Sequence, residues 1–308
     1  MLETEIAAFV AQVAARYPSD AASLPPAGQR VLYDRFAAAW TPALPDGVRA
    51  DDAMLASRAD RPIALRRYRL GERTARGTVL YFHGGGFVVG SLDSHELITA
   101  RLAADTGLDV IAVDYRLAPE HRAPAAHDDC LEVAEAALAG RLPFGPAAFP
   151  LMLAGDSAGG TLAACTAASL RDAGRGGVAA LALVYPMLGL DPQPPARDAE
   201  AQAPMLSLAD VYAYCRHYWG DAPPPEGTVP LDAARFDGLP PTLAIGVEHD
   251  PLRDDARVYA ERIVAAGGDA RFWLGTGLVH GCWRALDGSP QAARMHRAVC
   301  DFLLAHQG

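Results

Sequence analysis

Short apolar runs alternate along this chain with stretches whose apolar residues recur at helical spacing. Thr78–His83, Val110–Tyr115, Leu151–Asp156, Leu181–Tyr185 and Thr242–Glu248 are nearly continuous apolar runs. Such runs predict strands buried on both faces, since a half-exposed strand would alternate apolar with polar. Pro62–Leu70 alternates in part and reads as a half-exposed strand, with Gly71-Glu72-Arg73 as the turn after it. Ala270–Leu274 reads as the last strand. Residues 94–106, 128–138, 161–168, 254–266 and 291–305 carry helical patterns between and after these strands. That order predicts an α/β fold with a mostly parallel central sheet and helices on both faces.

Two stretches break the alternation. Residues 1–45 hold helical patterns at Ile6–Ala15 and Arg30–Trp40, separated by a loop from Pro18-Ser19-Asp20 to Pro25-Pro26. Residues 190–225 hold Pro192, Pro194, Pro195 and Pro204, an aromatic-rich helix from Leu206 to Trp219, and then Pro223-Pro224-Pro225. Phe9, Trp40, Tyr212, Tyr214 and Trp219 lie in these stretches and need cover. The expected division is therefore 1–45 as the N-terminal part of a cap and 46–308 as the catalytic domain, with a cap insertion at about 190–225. A cap over the C-terminal edge of the sheet would exclude water and hold a substrate chain. On that reading, removing residues 1–40 changes acyl-length preference and leaves the chemistry intact. The alternative is that these helices pack on the back of the sheet.

Composition narrows the function classes. The chain has 308 residues, 51% apolar and 21% charged, as a folded domain has. A net charge of -10 disfavours nucleic acid as a partner. All 27 basic Lys+Arg residues are Arg, which removes Schiff-base chemistry on Lys and any phosphate loop that needs one. Cys130, Cys165, Cys215, Cys282 and Cys300 are odd in number and form no C-x-x-C, so neither a disulfide framework nor a zinc site is expected. An acidic start, Met1-Leu2-Glu3-Thr4-Glu5, and the lack of a long apolar run predict a cytoplasmic protein with no membrane span. The oligomeric state stays open, with a homodimer as the candidate assembly.

The chemistry gathers at Gly155-Asp156-Ser157-Ala158-Gly159-Gly160, where a buried strand turns sharply into a small-residue helix. A Ser at the tip of that turn is exposed, and the amide of Ala158 starts the helix. A Gly-rich turn with an incidental Ser is the plain alternative. A Ser nucleophile needs a base, and the base needs an acid to orient it. In this strand-turn-helix setting the expected chain order is Ser, acid, His. Asp250 follows one later strand, and His280 lies in the loop Gly275–Gly281 after another. Glu248, Asp254 and Asp255 compete with Asp250, although Asp254 and Asp255 suit a helix start. His249 is expected to face the other way, and His296, on the last helix, to be a surface or packing residue. His83-Gly84-Gly85-Gly86 ends an early buried strand. Gly85, Gly86 and Ala158 are the candidate oxyanion donors, with His83 bracing the loop.

These stretches, with Tyr115-Arg116-Leu117-Ala118-Pro119-Glu120-His121, Asp250-Pro251-Leu252-Arg253-Asp254 and His280-Gly281, resemble the hormone-sensitive-lipase-like family of α/β-hydrolase carboxylesterases. The resemblance spans residues 83–281 and implies a serine carboxylesterase for short-to-medium acyl esters, with no cofactor and no metal. An amide or N-acetyl hydrolase with the same triad, or a receptor on the same fold, are the alternatives; receptors of this kind lack the His that stands here at 280. The chain departs from the family in having Asp255 where Glu is common and Cys282 where Phe is common. Cys282 is expected to alter the pocket wall. An imidazole base must be neutral to accept a proton, which places the acid limb of activity at roughly pH 5.5–7.

Overall fold

Alternation along each central strand divides the core into two layers. Leu80 and Phe82 point to one face of the sheet and Val79 and Tyr81 to the other; Leu151 and Leu153 oppose Met152 and Ala154 in the same way. All are essentially inaccessible to solvent. The computed structural model describes residues 1–18, 21, 24–58, 61–72 and 74–307. Most of the expected loop between Pro18 and Pro25, and Arg73 of the expected turn, therefore lie outside the described residues.

In chain order the helices are α1 (Thr4–Arg16), α2 (Pro26–Ala38), α3 (Glu96–Thr106), α4 (Ala125–Leu138), α5 (Ala158–Asp172), α6 (Ala196–Ala199), α7 (Leu208–Tyr218), α8 (Arg253–Ala265) and α9 (Pro290–Ala305). The strands are β1 (Val48–Leu55), β2 (Ile63–Leu70), β3 (Thr78–Phe82), β4 (Asp109–Asp114), β5 (Leu151–Asp156), β6 (Val178–Val184), β7 (Thr242–His249) and β8 (Ala270–Val279). Among the described residues they form one sheet in the order β1-β2-β4-β3-β5-β6-β7-β8. β2 is antiparallel to both neighbours, and every pair from β4 onward is parallel. α4, α5 and α8 supply apolar residues to one layer, α1, α3 and α9 to the other. No helix among the described residues is long and apolar enough to cross a membrane.

Three elements differ from the sequence reading. β1 was not expected, because Arg49, Asp51 and Asp52 interrupt any apolar pattern. It pairs through charge instead: Asp51 lies opposite Arg67 and Asp52 opposite Arg66, with ion pairs of 3.0 and 2.6 Å. α2 begins at Pro26, four residues before Arg30, since proline at the first helical position gives up no hydrogen bond. β8 runs on to Val279, so His280 follows the strand directly and does not sit in a loop from Gly275. The glycines there permit close packing. A Cβ on Gly275 would lie 2.8 Å from Leu278 Cδ1, and one on Gly277 2.9 Å from the Glu3 nitrogen. The Glu3 amide donates to the Gly277 carbonyl at 3.1 Å.

Asp254 and Asp255 do begin a helix, as expected, but their larger role is to hold a neighbouring segment. Asp255 is completely buried. One oxygen accepts the amides of Leu188 (2.8 Å) and Gly189 (3.1 Å), and the other that of Gln193 (2.8 Å). Asp254 accepts the Ala196 amide at 2.8 Å. The chain leaving β6 toward α7 is thus fixed to the start of α8. Burial pushes the Asp255 carboxyl up to about 7, against the pull of those three amides. Its folded value lies above the ordinary 3.8, so folding favours the protonated form. The stabilisation from that proton is present below about pH 4 and lost as pH rises through about 7. Asparagine cannot titrate, and its amide nitrogen would face a backbone donor. Asp255→Asn is expected to cost about 1–3 kcal/mol. The cost should be larger at pH 5 than at pH 8, read from denaturant midpoints of both proteins at each pH.

Candidate active site

The turn between β5 and α5 holds Ser157 at φ 53° and ψ -123°, a strained backbone for a residue with a side chain. The Ser157 amide donates to Val184 O at 2.8 Å, which pins the turn to β6. Gly159 is required by contact: a Cβ there would lie 1.9 Å from Phe82 O. The start of α5 therefore presses directly on the end of β3.

Three sequence-predicted residues come together at this turn. His280 Nε2 lies 2.9 Å from Ser157 Oγ, and His280 Nδ1 lies 2.7 Å from Asp250 Oδ2. A carboxylate can only accept, so the ring proton sits on Nδ1 and the Nε2 lone pair faces the hydroxyl. Asp250 is fully buried, and its other oxygen accepts the Leu252 amide at 2.8 Å. Tyr185 packs on the imidazole at a ring separation of 4.7 Å. Of the competitors, Glu248 accepts the Gly277 amide at 2.6 Å, and His249 Nδ1 faces Glu200 at 3.4 Å. None of them reaches Ser157.

The loop after β3 faces the same hydroxyl. Gly85, Gly86 and Phe87 adopt φ of 123°, 59° and 64° in succession. A Cβ on Gly85 would lie 2.1 Å from Val89 O, and one on Gly86 2.2 Å from the Tyr214 ring. Among the described residues, the amides of Gly85, Gly86 and Ala158 donate to no backbone acceptor. They line the cleft that contains Ser157 and His280. His83 braces this loop from below. Its Nδ1 lies 2.8 Å from Gly84 O, Tyr115 stacks on it at 4.2 Å, and Tyr115 Oη donates to His83 O at 2.6 Å. Burial takes its imidazole down to about 3, so it is neutral.

The sequence reading left Asp156 without a role. Its Oδ1 accepts the Tyr81 hydroxyl at 2.5 Å and the Gly84 amide at 2.9 Å. Burial alone would raise this carboxyl, but His95, Tyr81 and Arg284 hold it at about 2. Burial also lowers His95, which makes Asp156 the charged partner and His95 the neutral one near pH 7. The signal was the Asp inside the Ser motif, next to Ser157.

The cleft is mostly apolar. Tyr33 and Phe36 of α2 form one wall, and Met205, Leu206, Val211 and Tyr214 form another. α1 instead packs Ile6, Phe9 and Val13 into the core layer beneath. Cys282 does not alter the wall. It is fully buried in that same layer, and burial pushes its thiol up.

One group outside the cleft, Asp105, His296 and Cys300, has metal-ligand spacing, with its ligand atoms within 4.8 Å of one another. Its hydrogen bonds close it. Trp283 Nε1 can only donate, and does so to His296 Nδ1 at 3.0 Å, which leaves the ring proton on Nε2, 2.9 Å from Asp105. A metal would have to displace that proton. Of the surface and packing roles that its place on α9 left open, buried His296 has the packing one.

The family described as the α/β hydrolase fold matches residues 79–284. Among curated proteins, Esterase LipI of Mycobacterium tuberculosis is 38% identical over 206 residues, 66% of this chain and 64% of LipI. Carboxylesterase NlhH of the same species is 32% identical over 278 residues, 82% of this chain and 86% of NlhH. The chain is an α/β hydrolase of the hormone-sensitive-lipase-like family. Among solved structures, LAE6, an α/β hydrolase enzyme from the metagenome of Lake Arreo, superposes with a TM-score of 0.91 at 32% identity, covering 99% of this chain and 98% of its own. An esterase from the bacterial hormone-sensitive lipase family gives 0.86 at 26% identity over 100% of both chains.

In this hydrolase the Gly86 contact with Tyr214 is open to test. Gly86→Ala is expected to lower the thermal midpoint, through the clash and the strained φ together. Adding Tyr214→Ala removes the clash and should restore part of the loss. Equal midpoints for the single and double variants would show that the ring is not what excludes a side chain.

Proposed function

We propose that Ser157, His280 and Asp250 carry out acyl transfer in a carboxylic-ester hydrolase that takes short-to-medium acyl esters. The observation that carries this is the continuous chain Ser157–His280–Asp250, at 2.9 and 2.7 Å, beside three amides with no acceptor of their own. Ser157 Oγ attacks the ester carbonyl carbon as its proton passes to His280 Nε2. The carbonyl oxygen becomes negative and takes hydrogen bonds from Gly85, Gly86 and Ala158. Collapse breaks the bond to the alcohol, which leaves with the proton from His280. Water then repeats the attack on the acyl-enzyme. Asp250 holds the imidazole tautomer and stabilises its charged form. α2 and the segment around α7 act as the cap, and their apolar walls take the acyl or alcohol chain. Esterase LipI and Carboxylesterase NlhH carry names that support this activity. Five free cysteines, four of them buried, support a reducing cytoplasm.

Ser157→Ala and His280→Ala are each expected to lower kcat by about ten-thousandfold or more, with Asp250→Asn milder. A fluorophosphonate should label Ser157 alone. Substantial turnover by Ser157→Ala would end the esterase reading. Phe36→Ala and Val211→Ala should shift relative rates toward longer chains across a p-nitrophenyl ester series from acetyl to decanoyl. Unchanged ratios in both variants would remove these residues from the acyl wall.

A further inference from the structure

The loop that carries Gly85 and Gly86 adopts a conformation it would not hold alone. Three consecutive residues have positive φ, and Phe87, the last, is not glycine. Such a conformation persists only where surrounding contacts over-determine it. One contact is local, as Val88 N and Val89 N both donate to Gly85 O at 3.0 Å. The Asp156 carboxylate fixes Gly84 from below. Phe87 stacks on Tyr218 of α7 at 3.8 Å and 8°. The far end of the loop is held from α2.

Arg30 and Asp34 stand one helical turn apart on α2, so both face the loop. Arg30 Nε donates to Val88 O at 2.8 Å, and its Nη2 to Ala118 O at 2.9 Å. Those two carbonyls flank the bond from Ala118 N to Phe87 O, also 2.8 Å. A single guanidinium thus closes over the end of the positive-φ run. Glu120 takes the outer edge of the same guanidinium at 2.6 Å. Asp34 Oδ1 accepts the Ser91 hydroxyl at 2.8 Å. Tyr33, between them in sequence, accepts from Arg284 Nη2 at 3.0 Å, while Arg284 Nη1 donates to Ser94 O at 2.5 Å.

We propose that Arg30 is a positioning residue for ester hydrolysis: through Val88 O and Ala118 O it locks the Gly85–Gly86 amides onto the oxyanion, making α2 part of the transition-state apparatus as well as a pocket wall. This rests on the reading of Gly85 and Gly86 as oxyanion donors. It also replaces the expectation that a chain lacking residues 1–40 keeps its chemistry.

The test uses the full chain with p-nitrophenyl butyrate as substrate and an alkyl trifluoromethyl ketone as probe. The ketone adds Ser157 and places an alkoxide where the ester oxyanion would sit. Arg30→Met should lower kcat at least about tenfold, with KM within about threefold of wild type. Its Ki for the ketone should rise by the factor that kcat/KM falls. Arg30→Lys, which keeps the charge and some donors, should recover part of both. Glu120→Gln removes only the outer ion pair; it should lower the thermal midpoint slightly and leave kcat within about twofold. A folded Arg30→Met with unchanged kcat would overturn the proposal, as would a loss confined to KM or an unchanged ketone Ki. An equal kcat loss in Glu120→Gln would assign Arg30 to stability alone. Wild-type protein inert toward the ester and the ketone would instead overturn the esterase reading itself.

Discussion

Everything at the active site depends on one backbone-to-backbone contact, the start of α5 against the end of β3. There is no room in it for a side chain, since a Cβ at Gly159 would sit 1.9 Å from Phe82 O. Gly84 faces the same restriction, with its would-be Cβ 2.5 Å from Asp156 Oδ2. This approach sets the loop after β3 beside the turn after β5. The amides proposed as oxyanion donors come from two separate segments and can share one target only at that distance, because hydrogen bonds lose strength within a few tenths of an ångström. His280 and Asp250 then arrive on the next strands of the same parallel sheet.

The contact is stiff because charge braces it from below. Asp156 is buried beside Ser157, yet it is ionised, since a hydroxyl, an amide and a nearby guanidinium favour the charged form. Burying a carboxylate is costly unless its lone pairs are used. Here they are used to hold the loop that faces Ser157. At Asp255 three backbone amides likewise converge on one carboxyl to fix the segment leading to α7, but there burial outweighs them and the group is raised to about 7.

The sequence was legible where a pattern repeats or a motif concentrates. The central strands could be read because burial on both faces makes them continuously apolar, and the proposed triad because its members follow strands in the expected order. β1 could not be read, since its pairing is by opposite charges across strands, which looks like a surface loop. The second half of β8 was hidden by Gly275 and Gly277, which look like turn residues and are there for close packing. Arg30 and Asp255 were invisible as functional residues for a different reason. Apart from Glu120 at the outer edge of Arg30, their partners are backbone carbonyls and amides, which every residue has, so pairing of residue types does not give them away. Cys282 misled because it lies two residues after His280 in sequence while facing the core layer.

The two walls of the cleft differ in how freely they can change. On α2, Tyr33 and Phe36 line the cleft within two turns of Arg30 and Asp34, which grip the loop. Any substitution that rotates or shifts this helix to make room for a new substrate also moves the grip. Selectivity and rate are therefore linked on that side, and a gain in one brings a loss in the other. Met205, Leu206 and Val211 form the opposite wall from a segment fastened at its root by Asp254 and Asp255. Diversification, natural or directed, has its easier path through Met205 and Leu206, which precede α7 and its Phe87-holding Tyr218, so the wall can be resized there while Ser157, His280 and the Gly85–Gly86 loop stay in register.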